Sequence, residues 1–315
     1  MTKLKIGINR HIGVALIALI ACLFPMQLKA QDDGKEEIRW YNKVRNWVSS
    51  EGYTFDGSIK TTHTKYLMKG GRKGIIDEYI SPIAHKGWQL GASFLTDYAT
   101  QRDRKWHLYQ ELSVCLSDLS NAANGSKMYA LALQYSLGPS WRVLSTKGFS
   151  IDLSPLFALN LGGAYKPSNT NNVANAKMSF GIEGWSRLRY QLPWNTMPIA
   201  ISYTVQSPLI QCVFHPEYGQ SYYDYVSGEN GNRIKMKLGS PLNTIGIRQR
   251  LLVDLPIHNL TITFGAEHRY IKQEINRTTY QSGSWGVLFG CSVDLMCLSG
   301  NRAIKSKDIH NTLFH

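Results

Sequence analysis

Apolar and polar residues alternate in one stretch of this chain after another, and that rhythm limits what the chain can fold into. The clearest stretch is Tyr129-Ala130-Leu131-Ala132-Leu133-Gln134-Tyr135-Ser136-Leu137, in which every odd position is large and apolar and every even one is small or polar. The next repeats it, with Phe149, Ile151, Leu153, Phe157, Leu159 and Leu161 set against Ser150, Asp152, Ser154 and Asn160. Successive side chains of a strand point to opposite faces, so each stretch has one apolar and one polar face. A soluble sandwich turns the apolar face inward. A transmembrane barrel turns it outward to lipid and lines its lumen with the polar one.

Ten strands are predicted, at 52–65, 86–98, 105–117, 127–142, 149–161, 177–190, 197–208, 244–255, 260–272 and 284–297. The connections between them alternate in length. Segments 99–104, 143–148, 191–196 and 256–259 are short, whereas 66–85, 118–126, 162–176, 209–243 and 273–283 are longer. Short turns on one rim and long loops on the other are the habit of outer-membrane barrels. A sandwich has no reason to segregate loop lengths in this way. The prediction is therefore an all-β, antiparallel, up-and-down transmembrane barrel of ten strands, with short periplasmic turns and long extracellular loops. The alternative of twelve strands comes from 221–226 and 233–238, which flank the turn sequence Glu229-Asn230-Gly231-Asn232. Aromatic residues near strand ends with outward parity fit interfacial belts: Trp88, Tyr98, Trp106, Tyr129, Trp141, Phe149, Tyr190, Tyr270 and Trp285.

The N-terminus carries the one long apolar run, Ile12 to Met26, behind Lys3, Lys5 and Arg10. It is shorter than the roughly 20 residues a membrane helix needs and ends at Leu28-Lys29-Ala30. Residues 1–30 read as a cleavable secretory signal peptide. Residues 31–51 form a periplasmic lead-in, where Ile38, Tyr41, Val44 and Val48 recur at the spacing of a short amphipathic helix. The barrel is assigned to 52–298 and a polar tail to 299–315. Cys115, Cys212, Cys291 and Cys297 show no metal-ligand spacing, and neither metal nor cofactor is predicted. The net charge of +13 points to acidic partners. In an exported chain these are lipid phosphates rather than nucleic acid, because the basic residues do not cluster with stacking aromatics.

Inward parity gathers charge. The expected lumen network comprises Asp56, Lys60, Asp97, Glu111 with His107 and Tyr109, Arg142, Asp152, Glu183, Arg187, Arg189, Arg248, Arg250, Asp254, Glu267, Arg269 and Asp294. In a narrow barrel such charges must pair. One function this allows is a narrow anion-selective channel or solute site lined by Arg187, Arg189, Arg248, Arg250 and Arg269. The outer loops are basic, and Lys69, Arg72, Lys73, Arg233, Lys235 and Lys237 are expected to meet lipopolysaccharide phosphates. A lipid hydrolase using His215 and Ser221 of the 209–243 loop is a further alternative. The segment does not match the His-x-Ser-Asn signature of outer-membrane phospholipases, and no catalytic residue is assigned.

In signal, strand rhythm and loop asymmetry, the chain resembles uncharacterised outer-membrane β-barrel proteins of Gram-negative bacteria over residues 50–298. The resemblance implies residence in the outer membrane, contact with lipid and lipopolysaccharide, and insertion by the barrel-assembly machinery. The expected role is structural or interactive at the envelope, with no identifiable catalytic activity.

Overall fold

A computed structural model describes residues 60–99, 105–146, 148–170, 172–192, 199–214, 216, 236–257 and 260–297. All regular structure there is strand. The elements are β1 (Lys60–Asp77), β2 (Ser81–Ala99), β3 (Trp106–Ser120), β4 (Lys127–Thr146), β5 (Phe149–Tyr165), β6 (Ala174–Gln191), β7 (Ala200–Phe214), β8 (Met236–Gly239), β9 (Thr244–Ile257), β10 (Leu260–Ile275) and β11 (Thr278–Cys297). Neighbours in sequence pair antiparallel, β7 pairs with β9 past the short β8, and β1 pairs with β11 from Lys60↔Cys297 to Asp77↔Tyr280. Ten strands thus close a barrel with no free edge, which satisfies the backbone without solvent. The predicted ten-stranded up-and-down barrel is the observed one.

Strand parity holds around the wall. In β1, β2, β3, β6 and β10 the odd positions face the lumen, and in β4, β5, β9 and β11 the even ones do. The lipid-type faces stay exposed: Met68 is 71% accessible, Leu90 70% and Val287 62%. Leu116, Leu131, Phe157, Ile182, Leu251, Phe264 and Phe289 continue the same band. Aromatic rings border it on both sides. Trp88, Tyr129, Tyr165 and Trp285 lie towards the hairpin end that carries turn 78–80, the upper end. Tyr98, Trp106 and Tyr190 lie towards the lower end, where Trp106 also meets Trp141 at 4.6 Å. Trp88 and Tyr98 share β2. At about 3.3 Å per residue and a tilt near 40°, their separation spans about 25 Å, the height of a membrane barrel's apolar band.

The loop lengths differ from the prediction. Segment 66–85 is not a long loop: β1 runs on to Asp77, a three-residue turn follows at 78–80, and β2 begins at Ser81. Likewise 273–283 is a two-residue turn, Asn276-Arg277, between β10 and β11. The extra length is in the strands, which continue above the aromatic belt where their alternation fades. Of the predicted twelve-strand hairpin, only its second arm is described, as β8, which pairs with β7 from Gln211↔Gly239 to Phe214↔Met236. Residues 1–59 and 298–315, and with them the signal, the lead-in and the tail, lie outside the described residues.

The β1–β2 tip leans over the upper mouth. Its register shifts between Ile75 and Asp77, and Tyr79 and Ile80 pack with Ile75, Leu119, Met128, Ala130 and Ala164 in a buried apolar cluster. Polar contacts fasten the tip to the β5–β6 connection across the mouth. Asn169 donates to the Ile80 carbonyl at 2.7 Å, Lys166 to Ser81 Oγ at 3.2 Å, and Asn175 to both Asp77 oxygens at 3.1 and 2.9 Å.

Asn276 and Arg277 both have positive φ, 57° and 58°, as a two-residue hairpin turn demands. Asn tolerates this region and Arg does not, at a cost of about 1 kcal/mol or somewhat more. Arg277→Gly is expected to raise unfolding stability by about that amount, read as a shift in the urea midpoint of the refolded protein in detergent. An unchanged midpoint would show that the turn carries no strain.

Candidate functional site

The lumen is built in layers, and several strands write the same order along their inward positions. On β1 it runs Lys65, Leu67, Lys69. On β3 it runs His107, Tyr109, Glu111, on β6 Arg187, Trp185, Glu183, and on β9 Asp254, Leu252, Arg250. A polar or charged group is followed by an apolar one and then by charge again. Closing the wall stacks these into a lower polar layer, an apolar septum and an upper polar layer.

The lower layer centres on Arg187. Its Nε and Nη2 donate to Asp152 Oδ2 at 3.0 and 2.9 Å, and its Nη1 donates to Asp97 Oδ2 at 2.6 Å across the lumen. Nη2 also lies 2.9 Å from His107 Nε2, and Arg142 Nε donates to Asp152 Oδ1 at 3.2 Å. Lys65 pairs with Asp254, whose other oxygen accepts from Thr263 Oγ1 at 2.7 Å. Every strong charge here has a partner, as burial requires. Arg189 is also buried and faces the lumen at this level.

The septum comprises Leu67, Leu95, Tyr109, Leu156, Trp185, Leu252 and Leu288, contributed by seven strands. The Tyr109 and Trp185 rings meet across the barrel at 4.6 Å. None of these side chains is more than 8% exposed. Apart from Tyr109, these residues were not among the predicted lumen groups. The signal was available as an apolar residue at inward parity, as at Leu156 and Trp185.

Above the septum, Glu267 and Glu111 gather the cations. Glu267 accepts from Lys69 Nζ at 2.7 Å, from Arg248 Nε at 3.0 Å and Nη2 at 2.9 Å, and from Arg250 Nε at 3.0 Å and Nη2 at 2.8 Å. Glu111 accepts from Arg250 Nη2 at 2.6 Å and Tyr109 Oη at 2.7 Å, and lies 2.7 Å from Arg248 Nη2. Tyr109 thereby ties the septum to the charge layer. Glu183 is bound by amides instead, accepting from Gln206 at 2.6 Å, Gln211 at 2.9 Å and Asn160 at 3.4 Å.

Of the predicted lumen network, Glu111, Asp152, Glu183, Arg187, Arg248, Arg250 and Glu267 take part as described. Arg269 faces the lumen higher up, where its one hydrogen bond among the described residues is to Asn160 Oδ1 at 3.5 Å. Asp56 and the side chain of Lys60 lie outside the described residues. The predicted lipopolysaccharide set is divided. Lys69 and Lys73 face the lumen, because β1 continues through them and odd parity points inward. Arg72 faces outward, its guanidinium 4.5 Å from the Trp88 ring centroid. Lys237 is exposed on β8, and Arg233 and Lys235 lie outside the described residues, as do His215 and Ser221. Among the described residues, no group of three or more His, Cys, Asp or Glu could hold a metal ion.

A cavity of about 130 Å³ lies above the charge layer, lined by Lys69, Lys73, Lys177, Arg248, Glu267 and Arg269 among others. Lys177 Nζ sits 3.1 Å from Asp77 Oδ2 and 3.2 Å from the Tyr280 ring centroid, just beneath the β1–β2 tip.

The sequence model of a family described as "Protein of unknown function (DUF3316)" matches residues 15–302. No curated protein matches the chain. Among solved structures, it is similar to the translocator domain of autotransporter NalP from Neisseria meningitidis. The identity is 11%, the match covers 80% of this chain and 95% of that one, and the TM-score is 0.32. The transport unit of the autotransporter AIDA-I from Escherichia coli matches at 8% identity over 81% and 96%, with a TM-score of 0.37. The outer membrane protein OprG from Pseudomonas aeruginosa matches at 10% identity over 76% and 96%, with a TM-score of 0.28.

Glu267 serves two arginines and a lysine at once, so its loss leaves buried cations without a counter-charge. Glu267→Ala is expected to cost about 3–5 kcal/mol of unfolding free energy. Denaturant titration, with folded fraction read from unheated gel mobility, measures it. A loss below about 1 kcal/mol, the worth of an exposed pair, would mean that the cluster is solvated.

Proposed function

We propose that this chain, which belongs to the DUF3316 family of proteins of unknown function, is an outer-membrane barrel with a sealed lumen. Its role at the cell envelope is structural or interactive, with no through-conduction. The single observation that carries this reading is the apolar septum between two paired charge layers. A water-filled channel needs a continuous polar path, and here seven buried apolar side chains interrupt it. The exposed band, bordered by aromatic rings, supports residence in a bilayer. With the upper end outside, the lower turns face the periplasm.

In this reading the outward cations above the belt meet the lipopolysaccharide phosphates. They are Arg72, held on Trp88, together with the exposed Lys86 and Lys127. These replace Lys69 and Lys73, which the lumen takes up. Charge-assisted bonds to phosphate are the chemistry expected of such a rim. The combined variant Arg72→Gln, Lys86→Gln, Lys127→Gln should bind lipopolysaccharide-containing liposomes several-fold more weakly than wild type in a flotation assay at low salt. Equal binding would remove lipopolysaccharide as the partner of this rim.

Planar-bilayer recording tests the seal. The wild-type protein is expected to give no sustained single-channel steps. The septum variant Tyr109→Ala, Trp185→Ala should give them, provided that it keeps the gel shift of a folded barrel. Steady conductance from wild type would overturn the sealed reading and favour the narrow anion channel.

A further inference from the structure

The sealed lumen leaves the cavity above the septum with more positive charge than its carboxylates can balance. Lys73 on β1 and Arg269 on β10 both line it. Among the described residues neither has a carboxylate within salt-bridge distance. The nearest acids are already engaged, and Glu183, held by three amides, meets Arg269 only through Asn160. Glu267 accepts from Lys69, Arg248 and Arg250. Asp77 accepts two bonds from Asn175 and pairs with Lys177. The cations are also close enough to repel one another: Lys73 lies within electrostatic range of Arg269 and Lys69, and Lys177 within range of Lys73. A cluster of like charges in a partly enclosed space costs free energy unless a counter-charge joins it.

We infer that the upper chamber is a binding site for a small free oxyanion of the phosphate or sulfate class, held between Lys73 and Arg269. The walls fit such a guest. Arg269 offers guanidinium donors, Lys73 a point charge from the neighbouring side, and Ser179, Ser282 and Ser284 hydroxyl donors around them. A volume of about 130 Å³ has room for one tetrahedral oxyanion with a little water. The occupant is a free ion rather than a lipid headgroup, because the chamber lies inside the wall and the lipid face lies outside it. The apolar cluster under the β1–β2 tip roofs the chamber from the side of β3 to β5. That roof lowers the local dielectric and strengthens each ionic contact.

This inference goes beyond the sealed-barrel reading and can fail independently of it. A channel with no site would conduct without binding, and a sealed barrel with a site would bind without conducting. The test uses the full-length protein refolded in an uncharged detergent at low ionic strength, with inorganic phosphate and sulfate as probes. Isothermal titration is expected to show saturable binding of at least one of the two ions. The same ion should raise the melting temperature of wild type, and chloride at equal ionic strength should not. Lys73→Met and Arg269→Gln should each weaken binding tenfold or more, while Lys73→Arg retains it. Should either removal fail to give a folded barrel, Ser284→Ala together with the Lys73→Arg comparison reads the site without emptying it of charge. Absence of saturable heat with both ions, or equal affinity in wild type, Lys73→Met and Arg269→Gln, would overturn the proposal.

Discussion

A ten-stranded barrel is too narrow to stand open on polar side chains alone, and everything in this lumen follows from filling that cylinder without stranding a charge. Charges taken from water repay their desolvation only through good geometry and saturated hydrogen bonds. The chain meets this with shared hubs rather than isolated pairs. Glu267 draws cations from β1 and β9 to β10, and Arg187 reaches carboxylates on β2 and β5 from β6. Each hub pairs with an adjacent strand and also reaches one that is not its neighbour, β1 from β10 and β2 from β6, so pairing charge and bracing the cylinder are one act. The septum gives each hub one apolar side, which makes the pairs stronger and the loss of any one member costlier.

Much of the architecture was legible in the sequence because a strand's period is two. Alternation assigned nearly every wall residue to lipid or lumen, and Glu111, Arg187, Arg248, Arg250 and Glu267 were recognisable as inward charges before any geometry was known. The strand ends were not legible. Above the aromatic belt a strand has no lipid to face, so nothing forces its outward positions to be apolar, and β1 through Lys69-Gly70-Gly71-Arg72-Lys73 reads as loop. Lys69 and Lys73 therefore read as surface cations, and parity, once the strand is extended, turns them into the lumen. The septum was missed for a different reason. Leu156 and Trp185 interrupt a polar face with one apolar residue each, and only when several strands are stacked do such interruptions become a layer.

Pairing partners across the lumen were beyond the sequence for a geometric reason. Inward parity says that Asp97 and Arg187 share an interior, but which charge meets which depends on the stagger of strands around the closed wall. That stagger is set by local irregularities. The register shifts between Ile182 and Glu183, where β7 turns through Pro208, and between Arg142 and Leu144. The first moves the inward face of β7 from even to odd positions, so that Gln206 and Gln211 both reach Glu183. Without the bulge, strict alternation would keep Gln211 on the lipid face and leave Glu183 one donor short.

The same irregular region marks where the wall is least uniform. The β7–β9 ladder runs from Ala200↔Asp254 to Gln206↔Arg248, and beyond it Ser207 Oγ donates to the Gly246 carbonyl at 2.8 Å while β7 turns to β8. Arg248 and Arg269 sit beside this junction on the lumen side, and a small void of about 30 Å³ lies between Glu183, Pro208, Gly246 and Arg269. Opposite it the wall is continuous, and there the β1–β2 tip is clamped to β5–β6 by Asp77, Lys166 and Asn169. The least regular stretch of ladder and the clamp therefore fall on opposite sides of the upper barrel, and the cavity lies between them, reaching from Arg248 and Arg269 to Ile75, Ala130 and Ala164 of the apolar cluster. A barrel needed only as a membrane plug would gain from continuing the septum's packing to its upper rim. This chain instead keeps a space with unbalanced charge above the septum, and that excess favours a chamber that holds something over one that merely fills.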